Sequence, residues 1–467
     1  MMTDCLADTG AAGSLPLLAL GLLVLAAGAA ALAVLRRRRP GARRSGRAAA
    51  LALLVVAALG LGALQLGGSA TTAQAAPAVA GCPPTSSSTP APVPTPTPTT
   101  TPTPTQPIIG ADQEVTFVSG GVTFHGSYRG PVDTSMPVPA VVIAVGTGDV
   151  DRDGNAPSVA TEAYSWLADI MSAHGVASLR YDKLGTGATG LGPYSDDPQQ
   201  MLALGYNELR VQPIRDALSF VAGQPGVDQG HILLFGHSEG GADSLIVATD
   251  PGSAPPLAGL MLIEPAYTHI LDILITQFGE QMDAAVAGGA MTADDKATLT
   301  EWMRAGVDEI RAGTPPYPEP GPVPLPDATG ITAVYQSAIG TNIYGSDPAQ
   351  MVITHAYRTL YGKQYDVVDP AALSPQVTVP TLITCGTKDF NTPCGDGTPG
   401  SGVIAVADGF TPGLAEFHII PNMVHILRDT GTADVPQPAD QITYPFSTVL
   451  QSTIGEWLTA WNPPSAP

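Results

Sequence analysis

Two long apolar runs open the chain, residues 15–35 and 48–66, and neither carries polar residues at the spacing that an amphipathic helix or a half-buried strand would repeat. Each is close to the roughly 20 residues that cross a bilayer as a helix. The connector between them, residues 36–47, holds seven arginines. The positive-inside rule puts that connector in the cytoplasm, so the short tail 1–14 and everything beyond residue 66 are expected on the other side. The second run also reads as the apolar part of a signal peptide, with Arg43 to Arg47 as its basic start and Ala73-Gln74-Ala75 as its cleavage site. Val79-Ala80-Gly81-Cys82 imitates a lipoprotein box but stands well past the apolar run, and Leu6-Ala7-Asp8-Thr9-Gly10 imitates a sorting signal at the wrong end of a chain.

Residues 67–107 lose this pattern, and from Pro83 to Pro107 the chain is chiefly threonine, proline and serine. Such a composition buries no core and favours extended, polyproline-like conformations, so the segment is a disordered stalk. At about 3.1 Å per residue its reach is roughly 70 to 80 Å, enough to enter a cell wall.

From residue 108 to 467 short apolar runs alternate with helical periodicity. Ala140 to Val145, Val176 to Tyr181, Ile232 to Phe235, the run ending at Ile263, Val379 to Cys385 and Glu416 to Ile420 read as strands, which predicts an α/β domain with a mostly parallel central sheet flanked by helices. A segment of about 266–376 interrupts the alternation with helical periodicity in Ile270 to Val286, Asp294 to Arg311 and Ala349 to Leu360. It reads as a helical cap insertion, with Met282, Trp302, Met303, Tyr335 and Tyr344 as candidates to line a pocket or fill the cap's own core.

Candidate chemistry gathers at the C-terminal ends of these strands. Gly236-His237-Ser238-Glu239-Gly240 follows a strand and precedes a helix, the G-x-S-x-G pattern in which small residues let the backbone turn sharply and lift a serine hydroxyl clear of the sheet. Ser238 is the expected nucleophile. A serine needs a base, and the base needs an acid to orient it. Asp389 stands just past one strand and His425 just past the next, so the chain order serine, aspartate, histidine is that of α/β-hydrolases. Asp396 and Asp408 are alternatives for the acid, further from the strand end; His237 is expected to pack inside the elbow and His418 lies within a strand. For the oxyanion hole the backbone N–H of Glu239 follows the nucleophile, and Gly146-Thr147-Gly148 supplies Thr147, with Gly148 as alternate.

Three segments in order, Gly146 to Asn155, Arg180-Tyr181-Asp182-Lys183-Leu184-Gly185 and Gly236 to Gly241, resemble the signatures of bacterial serine esterases of the α/β-hydrolase superfamily, the group that includes acyl esterases and serine aminopeptidase-like hydrolases. The resemblance runs from about Asp112 onward. That group usually reads G-S-G-P-x-D-R-D-G in the first motif and has an arginine at the place of Leu184, so Thr147, Asp149 and Leu184 are departures that touch the oxyanion loop and acyl pocket. The resemblance implies hydrolysis of carboxylic esters, often with short acyl chains, through an acyl-enzyme and without cofactor or metal. A peptidase or an acyltransferase shares the same triad, and a non-catalytic envelope-binding protein on a hydrolase scaffold is the reading from another class.

Two motifs compete with this picture. Asp149-Val150-Asp151-Arg152-Asp153-Gly154 imitates a calcium loop, but its twelfth position is Ala160 and it follows a strand, so pairing of Arg152 with nearby carboxylates is the expectation. Gly185-Thr186-Gly187-Ala188-Thr189-Gly190 matches a dinucleotide fingerprint, but Leu191 to Ser195 break the helix that would receive a pyrophosphate, and a flexible loop is expected.

Charge sharpens the assignment. The whole chain carries −21, and the part beyond residue 66, without the connector arginines, is near −26. Such a surface repels nucleic acid and anionic headgroups. Of the four cysteines, Cys385 and Cys394 flank Asp389 and would form a disulfide in an oxidising compartment, whereas Cys5 and Cys82 have no obvious partners.

Overall fold

The computed structural model describes residues 106–462 apart from 158, 197–203, 290, 313–364, 399, 436 and 437. The two apolar runs, the arginine connector, the Thr/Pro-rich segment up to residue 105, Cys5, Cys82, the segment Ala349 to Leu360 with its helical periodicity in sequence, Tyr335 and Tyr344 lie outside the described residues, as do the side chains of Trp302 and Met303. Among the described residues no helix is long and apolar enough to cross a membrane.

One eight-stranded sheet organises these residues, in the order β1-β2-β4-β3-β5-β6-β7-β8. Its strands are β1 (Gln113–Ser119), β2 (Val122–Arg129), β3 (Val138–Ala144), β4 (Ala177–Tyr181), β5 (Val227–His237), β6 (Gly259–Ile263), β7 (Thr381–Gly386) and β8 (Ala415–Ile420). β1, β2 and β4 pair antiparallel at one edge, and every pairing from β4 through β3 to β8 is parallel. This mostly parallel sheet with helices on both faces fits the α/β-hydrolase fold.

The sequence of β3 shows why it lies at the centre. All seven of its residues are buried, as a strand covered on both faces requires. Val138, Ala140, Val142 and Ala144 point to one face, where they join residues of α2 (Gln212–Ala222) and α3 (Glu239–Thr249). Val141, Ile143 and Val145 point to the other, against α1 (Ala163–Ala173) and α7 (Thr448–Trp461). β5 divides the same way, Ile232 and Leu234 on one side and Leu233 and Phe235 on the other. The period of two along each strand thus builds two cores from one sheet.

Between β6 and β7 the chain leaves the sheet for α4 (Ile270–Ala287) and α5 (Ala293–Ala312), and α6 (Ile404–Gly409) precedes β8. Met282 of α4 is fully buried, so it serves packing instead of an open pocket wall. Asp366 fastens the return of this insertion, accepting from Leu271 N at 3.0 Å and from Arg311 Nε at 2.7 Å.

The imitation calcium loop spends its oxygens internally. Asp151 accepts from the backbone N–H groups of Asp153 and Asn155, Asp153 pairs with Arg180 at 2.8 Å, and Arg152 pairs with Glu114 at 2.9 Å and with Asp182 at 3.5 Å. The glycine-rich segment after β4 is a run of turns. Its Ala188 N–H donates to Asp182 Oδ2 at 2.8 Å and the Thr189 hydroxyl donates to Asp182 O, so the turns wrap a buried carboxylate.

Candidate active site

The C-terminal ends of β3, β5, β6, β7 and β8 share one edge of the sheet, where parallel α/β folds present ligands. Ser238 stands between β5 and α3 with φ 57° and ψ −126°, a conformation that side chains other than glycine rarely adopt. Its neighbours explain how the turn closes. A Cβ at Gly240 would lie 2.3 Å from the carbonyl oxygen of Ala144, so only glycine lets the start of α3 approach β3 this closely. Ser238 O accepts from the N–H groups of Gly241 and Ala266, both at 2.9 Å, which anchors the strained residue from two sides.

Asp389 and His425 are brought together: His425 Nδ1 lies 2.7 Å from Asp389 Oδ2. Asp389 is 4 % exposed and also accepts from Asn391 N at 2.7 Å, Thr392 N at 3.0 Å and Thr392 Oγ1 at 2.8 Å. Burial alone would raise its pKa, but the imidazole charge and these donors hold the carboxyl below its usual range. An ionised carboxylate only accepts, so the Nδ1–H of His425 donates to Asp389. Asp396 is instead exposed and bonded to Thr398, and Asp408 lies in α6.

His237 links the turn at Ser238 to His425. Its ring centroid is 4.7 Å from that of His425, and Nε2 donates to His425 O at 3.0 Å. With Nε2 as the donor, Nδ1 accepts from the Tyr164 hydroxyl at 3.0 Å, and that hydroxyl accepts the N–H of Gly146 at 3.1 Å. Burial, then the charge of His425, pulls the His237 pKa down to about 3, which keeps the ring neutral and the chain of donors intact. His237 thus ties the turn at Gly146 to the loop that carries His425.

Gly146 packs directly on Ser238, since a Cβ there would lie 2.9 Å from Ser238 Cβ and 3.4 Å from Ser238 Oγ. Thr147 and Gly148 follow, both half-buried, with Gly148 at φ +92°. Glu239 opens α3, so its N–H belongs to the positive end of a helix beside the serine. Its side chain turns inward, accepting from the Tyr206 hydroxyl at 3.0 Å.

Glu264, at the end of β6, is a site residue that sequence reasoning missed. It is fully buried with φ 48°, and its Oε2 lies 3.5 Å from His237 Nε2 and 3.7 Å from His425 Nδ1. Burial, then the neighbouring charge of Asp389, pushes its carboxyl well above the usual range, so it stays protonated beside an ionised aspartate. Thr392 was missed too; its hydroxyl reaches both Asp389 Oδ2 and, at 3.0 Å, Glu264 O. Three-residue spacing from an acid was a signal for Thr392, whereas nothing local marks Glu264.

His237, Glu264 and His425 place possible ligand atoms within 4.8 Å of one another. The donors do not fit a metal: both nitrogens of His237 and Nδ1 of His425 are engaged by protein groups. The Cys385–Cys394 disulfide closes the acid loop, with Cα atoms 5.2 Å apart.

No family model matches the chain, and no curated protein matches it. Among solved structures it is similar to the α/β hydrolase GrgF of Penicillium sp. sh18, at 15 % identity and TM-score 0.41, over 75 % of this chain and 98 % of that one. It is similar also to Est1E of Butyrivibrio proteoclasticus, at 14 % identity and TM-score 0.39, over 75 % and 99 %. An esterase of Pyrococcus furiosus aligns at 13 % identity and TM-score 0.41, over 75 % and 90 %. Identities and scores this low carry no function to this chain, and the fold assignment rests on its own strand order.

Proposed function

We propose that this chain is a serine hydrolase that cleaves carboxylic esters through an acyl-enzyme on Ser238. The observation that carries the reading is the 2.7 Å contact between Asp389 and His425, made on a loop that His237 ties to the strained serine turn. In the reaction Ser238 Oγ attacks the ester carbonyl while His425 Nε2 takes the hydroxyl proton, and Asp389 steadies the imidazolium. The N–H groups of Thr147 and Glu239 receive the oxyanion, with that of Gly148 as alternate. His425 then protonates the departing alcohol. Water enters, gives its proton to His425 and attacks the acyl carbon; the bond to Ser238 Oγ then breaks, His425 returns the proton to Oγ, and the carboxylic acid leaves.

The substrate class proposed is a small-molecule ester of short to medium acyl chain. The enzyme would work outside the cytoplasm, held by segments 15–35 and 48–66 on the stalk 67–107 and reaching into the cell wall, or released after Ala75. A disulfide in the acid loop supports an oxidising compartment.

Fluorophosphonate labelling and nitrophenyl ester turnover by the full-length chain, beside Ser238→Ala, test the reading. Labelling and turnover that disappear together in the variant are expected. A folded wild type that neither labels nor turns over defeats it.

A further inference from the structure

Lys183 lies two residues past β4, 8 % exposed, within the second of the motifs noted above, and no role in the triad accounts for it. Its Nζ donates to Gly146 O at 2.5 Å and to Gly148 O at 2.8 Å. Arg210, on a π-helical turn at Asn207–Val211, donates from Nη2 to Val145 O at 2.9 Å. Two cations therefore hold three carbonyls of the turn that leaves β3.

The consequence is geometric. In a trans peptide the C=O and N–H point in opposite directions. A Gly146 carbonyl drawn toward Lys183 turns the N–H of Thr147, the other half of the same peptide unit, to the opposite side. Gly146 itself sits against Ser238, at the contact a Cβ would fill. The lysine thus grips one end of the peptide unit whose other end is the oxyanion donor.

A buried ammonium is a costly means of packing, because its desolvation is offset only by well-placed partners. Here burial, then Arg210, pulls the pKa of Lys183 down to about 7, against the carboxylates of Glu239, Asp243 and Asp149. A methionine would fill the same space without a buried charge, but it would leave the carbonyls of Gly146 and Gly148 without their donor. The partners that offset the cost here are the carbonyls of the turn.

We propose that Lys183 is a positioning residue of the oxyanion hole, fixing the carbonyls of Gly146 and Gly148 so that the Thr147 N–H faces the oxyanion formed on Ser238. The proposal rests on the serine-hydrolase reading. Its test compares full-length wild type, Lys183→Met, Lys183→Arg and Ser238→Ala, measuring kcat and KM on nitrophenyl butyrate, inhibition by butylboronic acid and the urea midpoint. Butylboronic acid forms a tetrahedral anion on the serine, so its affinity reports the oxyanion hole directly.

For Lys183→Met we expect kcat to fall roughly 10- to 100-fold, less than loss of a whole donor, with KM nearly unchanged and boronate affinity falling in parallel, while the urea midpoint shows whether the variant is folded. Lys183→Arg, which can still donate to two carbonyls, should recover part of both losses. Unchanged kcat and boronate affinity in a folded Lys183→Met would overturn the proposal. So would a fall in kcat that tracks a lowered urea midpoint and leaves boronate affinity intact, and if Lys183→Met does not fold, Lys183→Gln takes its place in the same comparison. A wild type without turnover or labelling instead removes the hydrolase reading itself, and the proposal with it.

Discussion

Glu264 places a carboxyl oxygen 3.7 Å from Nδ1 of His425, the nitrogen that Asp389 holds at 2.7 Å. His425 therefore faces two carboxyl groups in different protonation states, one ionised by its donors and one kept neutral by burial. Glu264→Gln replaces a neutral carboxyl with a neutral amide of the same shape and should change kcat by only a few-fold, on the order of a single adjusted hydrogen bond. Asp389→Asn should lower kcat by about 10⁴-fold, because the imidazole loses its fixed tautomer. Ester kinetics on the two variants decide between them, and the reverse ranking would make Glu264 the orienting acid.

The disulfide closes a loop of nine residues' separation around Asp389. Replacing Cys385 and Cys394 together by alanine should lower stability by about 2 to 3 kcal/mol on the chain-entropy account. Activity should fall as well, since the donors from Asn391 and Thr392 that orient Asp389 lie inside the same loop. Urea unfolding and kcat of the double variant check both effects.

Tyr164→Phe removes one oxygen that serves both Gly146 N–H and His237 Nδ1. Two buried polar groups would then lack a partner, at a cost of about 1 to 3 kcal/mol each. Thermal unfolding should register this, and kcat should decline because the oxyanion turn loses its tie to the base loop. An unchanged melting temperature and kcat would show the relay to be dispensable.

The lowered pKa of Lys183, about 7 in the fold against 10.5 for a free side chain, makes stability depend on pH in a known direction. Between those values the unfolded chain binds more protons, so stability rises with pH across the window and this contribution is lost as pH falls through about 7. Lys183→Met should flatten that slope, and the difference between wild-type and variant urea midpoints from about pH 6 to 9.5 isolates it from other titrating groups.

Much of the sheet was legible because a strand covered on both faces must be apolar along its whole length, as Ala140 to Val145 and Ile232 to Phe235 are. Ser238, Asp389 and His425 could be singled out because each follows a recognisable strand, and strand ends in a parallel sheet share one edge. Glu264 also ends a strand, yet its pattern matches an ordinary loop acid. Only the fold buries it between two imidazoles.

The sequence by itself determined the alternation that makes an α/β sheet, the glycines that permit a strained serine turn and the order of three reactive side chains, all properties of local spacing. The tertiary structure alone decided that His237 spans the turn at Gly146 and the loop of His425, that Lys183 holds the carbonyls of Gly146 and Gly148, and that Asp389 is ionised while Glu264 is not. Those outcomes depend on burial and on distances between residues remote in the chain, and protonation follows the local dielectric and neighbouring charges, which no spacing along the sequence records.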